Sequence, residues 1–121
     1  MGCLAIWHLA GCGKPAETPS AFVVEPEIAP WPVRVGAATV TLRISDAGGH
    51  ALSGARIALE ADMSHAGMRP EFGEAREIAA GRYQGRLTLT MAGDWVVLMH
   101  IALPGGRKLE RQLEVKGVRA N

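Results

Sequence analysis

Apolar and polar residues alternate with a period of two through most of the chain from Trp31 onward, and no other feature restricts the fold as much. In Thr39-Val40-Thr41-Leu42-Arg43-Ile44-Ser45, Val40, Leu42 and Ile44 point one way and the polar residues the other. Successive side chains of a strand face opposite sides, so this segment predicts a strand with one buried and one wet face. Ala55, Ile57, Leu59 and Ala61 alternate in the same way with Arg56, Ala58, Glu60 and Asp62. Tyr83, Leu87 and Leu89 alternate with Gln84, Arg86, Thr88 and Thr90. Trp95 to Leu103 is almost continuously apolar, which predicts a central strand, and Leu109, Leu113 and Val115 mark the last one. Short strands over Val33–Val35 and Glu77–Ala79 bring the number to about seven.

Between these segments lie Asp46-Ala47-Gly48-Gly49-His50, Met91-Ala92-Gly93-Asp94 and Pro104-Gly105-Gly106-Arg107, all rich in turn-forming residues. The chain carries 15 Gly and 7 Pro, and no stretch keeps a helical period for more than a turn or two. The expected fold is therefore all-β: an immunoglobulin-like antiparallel β-sandwich of about seven strands over residues 31–118. Trp95 and Tyr83 are the expected large anchors of its core, because aromatic rings bury the most area per residue. A chain of 121 residues supports one such core. Its 48% hydrophobic content argues against disorder, and no apolar run approaches the length of a spanning helix. The net charge is +1 with no basic block, so no nucleic-acid partner is expected.

The N-terminal segment reads differently. Residues 1–11 are apolar and resemble the end of a secretory signal. Leu9-Ala10-Gly11-Cys12 resembles a bacterial lipobox, in which a signal peptidase cuts before the cysteine and Cys12 carries the lipid. No Lys or Arg precedes the apolar stretch, as happens when a recorded start lies downstream of a basic region. Removal of Cys3 with the signal and lipidation of Cys12 would leave the folded part without thiols. Residues 12–30 follow as the lipidated cysteine and a Pro-, Ser- and Ala-containing tether, in which Phe22-Val23-Val24 is compatible with a short edge strand. The alternative is a buried amphipathic N-terminal segment that happens to end in Gly-Cys.

Three ordered stretches resemble the YtkA-like family and the related FixH-like family. One is Ser45-Asp46-Ala47-Gly48-Gly49 followed by Leu52-Ser53-Gly54-Ala55, although His50-Ala51 stands where Lys-Pro is commoner. Another is Met63-Ser64-His65-Ala66-Gly67-Met68. The third is Gly81-Arg82-Tyr83 with Leu87 through Met91-Ala92-Gly93-Asp94-Trp95. The resemblance implies a small, exported, membrane-tethered domain on the periplasmic side of the cell envelope. It also implies kinship with copper-handling sandwiches, some of them associated with oxidase assembly or metal efflux.

Met63, His65 and Met68 form the chemically distinctive cluster. Thioethers are soft and imidazole is borderline, a combination suited to Cu(I) rather than to Zn, Ca or Mg. Gly67 and Pro70 let the loop curl so that these side chains can converge. The bland reading competes: Met63 continues the inward set Ile57-Leu59-Ala61, and His65 is then merely solvated. Met99 is in phase with Trp95 and Val97 and is expected in the core, while His50 is expected at the surface. Glu71, Glu74 and Glu77 read as a solvated connection, and no catalytic triad, phosphate loop or dinucleotide fingerprint is present. The function read from the residues and the resemblance is a non-enzymatic envelope accessory domain that binds or hands over copper. Its partners would be the membrane, through the lipid, and an envelope, oxidase or efflux component. The rival is a metal-free structural or protein-binding module.

Overall fold

The computed structural model describes residues 22–64 and 68–120. Seven strands follow one another: β1 (Phe22–Ala29), β2 (Gly36–Asp46), β3 (Arg56–Met63), β4 (Glu71–Ala79), β5 (Arg82–Leu89), β6 (Gly93–Ala102) and β7 (Lys108–Val118). No helix occurs among the described residues. The strands are hydrogen-bonded in the order β1-β2-β5-β4-β3-β6-β7, every pair antiparallel. Split between β4 and β3, this is the four-plus-three strand order of an immunoglobulin constant-type sandwich. Here the two sheets stay joined, because Ile57–Ala61 of β3 pair with Glu71–Ala75 of β4. The result is one ribbon folded over into a near-barrel.

The alternation explains why it folds over. Val40, Leu42 and Ile44 on β2, Ile57, Leu59 and Ala61 on β3, and Val97, Met99 and Ile101 on β6 are all buried. Each strand thus has one apolar face, and two such faces lose water only by meeting each other. Trp95 and Tyr83 head the fully buried side chains, and no polar or charged residue is buried among the described residues. The Tyr83 hydroxyl donates to the Leu52 carbonyl at 2.7 Å and accepts from the Ala55 amide at 3.1 Å, so its ring fills the core while its oxygen holds the β2–β3 connection.

Three boundaries differ from the sequence expectation. Residues 22–29 belong to the sheet rather than to the tether: β1 pairs with β2 along its whole length, from Phe22 opposite Asp46 to Ala29 opposite Thr39. Pro26 is tolerated because β1 is an edge strand, with no ladder on its outer side. Val33–Val35 is no strand; Arg34 makes an isolated parallel bridge to Arg119. Glu71–Ala79 is a full strand, not a solvated connection, although its buried pattern is broken and only Ala75 is fully inside.

Glu77, at the end of β4, has a job the sequence did not disclose. Its carboxylate accepts the Gly54 amide at 3.0 Å and the Gly81 amide at 3.1 Å, tying the β2–β3 connection to the β4–β5 turn. These bonds, led by that from Gly54, hold the Glu77 carboxyl below its ordinary pKa of 4.5. A depressed folded-state pKa contributes stability that is complete above the unfolded value and is lost as pH falls through the folded one. The stability gap between wild type and Glu77→Gln is therefore expected to be widest near neutral pH and to narrow below pH 4.5. Urea midpoints from pH 7 to pH 3 check this, and a gap constant over that range would count against it.

Because all pairs are antiparallel, the connections alternate between two ends of the sandwich. The chain enters β1 at one end, here the entry end, shared by the β2–β3, β4–β5 and β6–β7 connections. The β1–β2, β3–β4 and β5–β6 connections meet at the opposite, far end.

Candidate functional site

The far end gathers residues that lie widely apart in the sequence. β3 terminates at Met63, directly opposite Trp95 at the start of β6. In phase with the inward residues of β3, Met63 is half-buried and packs on the core. Its terminal methyl stands 3.0 Å from where a Cβ on Gly93 would lie. Gly93, with φ of +130°, both turns the chain and leaves room for that methyl. The loop beyond begins at Ser64, whose amide donates to the Asp94 carbonyl at 3.3 Å. Met68 is half-buried in the same connection. His65 lies outside the described residues, and so does Cys12.

Met91 joins this end from the β5–β6 turn. Its side chain is 45% exposed, and its carbonyl accepts the Trp95 indole N–H at 2.9 Å. Trp95 is thus flanked by Met63 across the strand pair and by the Met91 backbone. From the β1–β2 connection the same end receives Trp31, 76% exposed between Pro30 and Pro32. The thioethers Met63, Met68 and Met91 therefore sit at one end, on two different connections and a strand terminus. Their donor chemistry fits a soft ion. Among the described residues no group of three or more His, Cys, Asp or Glu could hold a metal ion.

The other candidate donors lie elsewhere. Met99 is fully buried on the inner face of β6. His100 is on the outer face of that strand, opposite Ala58 and Glu110, with its Nε2 3.2 Å from Glu60 Oε1. His50 is exposed in the β2–β3 connection, its ring beside Asp46 at 3.2 Å. Asp46 also accepts the Gly48 and His50 amides, each at 2.9 Å, and the His50 amide bond contributes most to holding its carboxyl below the ordinary value. On the outer face of β3, partial burial and the adjacent Glu60 carboxylate push the Asp62 carboxyl up.

This architecture defines a class: a small immunoglobulin-like sandwich with a thioether-bearing end. A family model described as YtkA-like matches residues 16–100. The chain belongs to the YtkA-like family. No curated protein matches the chain. Among solved structures, murine CRIg covers 80% of this chain and 98% of its own, at 10% identity and a TM-score of 0.42. The family and the fold together fit an accessory module of the cell envelope.

Proposed function

We propose that the chain is an exported, membrane-tethered, non-enzymatic accessory domain that binds Cu(I) through Met63, His65 and Met68 and passes it to an envelope partner, such as an oxidase or efflux component. The observation that carries the reading is the gathering of Met63, Met68 and Met91 at one end. Thioether sulfurs there can ligate a soft cation without thiols, and imidazole adds a borderline donor. Met63 on the rigid β3 terminus would fix one ligand, while Met68 on the connection would let the ion enter and leave. The tether, with the lipid on Cys12, would reach the domain at the entry end, so the thioethers would face away from the anchor. Cys12→Ser is expected to shift the protein from the membrane to the soluble fraction.

One equivalent of Cu(I) is expected to bind under reducing conditions. His65→Ala and Met68→Leu are each expected to weaken it by about tenfold or more, because a ligand is lost. Met68→Leu keeps volume and apolarity while removing the sulfur, so folding is expected to survive. His50→Ala, on the opposite end, is expected to leave affinity unchanged. Affinity should fall as pH drops through about 6.5, since only neutral imidazole ligates. Competition titration with a Cu(I) chelator measures each value. Unchanged affinity in the His65→Ala, Met68→Leu double variant would overturn the assignment.

The second reading, a metal-free protein-binding module, is favoured by one observation. Trp31, Phe72 and Met91 are among the few exposed large apolar side chains, and Trp31 and Met91 stand at the far end, with Phe72 near it at the start of β4. Aromatic and Met side chains are enriched at protein interfaces.

A further inference from the structure

A row of cations crosses the outer face of the sheet at the entry end. Arg56 pairs with Ala102, and Ala102 pairs with Lys108. The β3–β4 ladder ends at the Ile57–Ala75 pair; continuing its register would set Arg56 against Arg76, and both residues line one groove. The rung therefore reads Arg76–Arg56–Ala102–Lys108 across β4, β3, β6 and β7, three cations around one alanine and no acid.

Arg56 and Arg76 line the same groove, about 610 Å³ in volume, floored by Ala55, Ala58, Ala75 and Ala102. A second groove, about 480 Å³, continues past Ala102 to Lys108. Like charges directly opposite each other on a sheet are destabilising. Among the described residues, no ion pair involves Arg56, Arg76 or Lys108. Of the carboxylates lining the grooves, Glu77 is engaged by two amides. Glu74 and Glu110 stand on the next rung, with Ala58 and His100 between them.

An internally compensated pair lies further along the same outer surface, on β2 and β5. Arg43 lies opposite Arg82, but Glu25 takes the other side of Arg43. The Arg56 rung has no such neighbour. Adjacent strands lie about 4.8 Å apart, so Arg56 and Lys108 straddle Ala102 at roughly 10 Å, within reach of one compact anion. Guanidinium forks match the oxygens of such a group bidentately.

We infer that the rung Arg76–Arg56–Ala102–Lys108 is a seat for a multiply charged phosphate-type oxyanion, free or displayed on a lipid headgroup, with its oxygens over Ala102. The seat lies on the end where the chain enters the domain, and it is independent of the thioether end.

The test uses the full chain carrying Cys12→Ser, titrated with sodium pyrophosphate and followed by the amide NMR signals of Arg56 and Ala102. Saturable shifts are expected, weakening with added salt. Arg56→Gln with Arg76→Gln is expected to weaken binding at least fivefold, and Lys108→Gln to weaken it less. Arg34→Gln with Arg119→Gln, at the far end, is expected to leave it unchanged. All five substituted positions are exposed, and matching urea midpoints would show that the variants fold. Vesicles of phosphatidylcholine alone and with phosphatidic acid, whose phosphomonoester can carry two charges, separate the sources. Competition by the anionic vesicles alone identifies a headgroup ligand, and pyrophosphate binding without it identifies a soluble one. No saturable shift, or equal weakening by the Arg34 and Arg119 changes, would overturn the seat.

Discussion

Trp95→Ala is expected to lower the unfolding free energy by about 3–5 kcal/mol, a large share of what a small domain possesses. The ring is 1% exposed and lies where β3, β6 and β7 meet, opposite Met63 on one side and Val115 on the other. Truncation removes its buried area, opens a cavity and frees the Met91 carbonyl from its indole partner. Val96→Thr, one residue along, is the control. Val96 is half-exposed on the outer face, between Asp62 and Glu114. Its hydroxyl would meet water, so a cost below about 1 kcal/mol is expected. Equilibrium urea unfolding of both variants gives the comparison, and a larger loss for Val96→Thr would reverse the assigned inner and outer faces of β6.

Gly85→Ala is expected to cost roughly 3 kcal/mol, at the upper end for overpacking, although it adds a single methyl. A Cβ at Gly85 would lie 2.2 Å from the Glu74 carbonyl oxygen and 2.8 Å from its carbon. That obstacle is backbone, so no rotamer change relieves it. The partner strand has the mirror-image constraint, since a Cβ at Gly73 would lie 2.3 Å from the Arg86 carbonyl oxygen. β4 and β5 thus approach each other through two glycines, close to where the ribbon passes from one sheet to the other. Alanine at either position would force the β4–β5 ladder apart. Thermal unfolding should show a fall of roughly 12–24 °C for Gly85→Ala, on the usual 4–8 °C per kcal/mol for a domain this size. The exposed Gly105→Ala would fail to separate close approach from backbone strain, because Gly105 has φ of +91°. Gln84→Ala, on the exposed outer face of the same strand, isolates the effect and is expected to be nearly neutral.

Much of the sandwich was legible in the sequence because strand patterning is local. The inward residues of β2, β3, β5 and β6 follow from alternation alone, and Trp95 and Tyr83 from size. The misread segments each broke the local signal. In β1, Pro26 and two Glu residues imitate a tether, yet the strand survives because its outer side needs no ladder. In β4, Gly73 and the exposed Glu and Arg residues hide a strand whose inner face is nearly empty of side chains. Glu77 reads as solvated, and only the fold brings the Gly54 amide, far away in sequence, to its carboxylate.

What the chain's own sequence determined is therefore the set of side chains that turn inward, the turns between strands, and the soft chemistry of Met63, His65 and Met68. Pleat and period specify these within each strand, without reference to any neighbour. What only the tertiary structure decided is which distant residues share an end or a rung. Met91 and Trp31 join the thioether end, His100 is removed from it, and Arg56, Arg76 and Lys108 line up across four strands. The same alternating segments would satisfy many strand orders equally well, so these neighbourhoods are fixed by the pairing order β1-β2-β5-β4-β3-β6-β7. That order depends on close approach through Gly73 and Gly85 and on non-local hydrogen bonds, which no single strand's pattern contains.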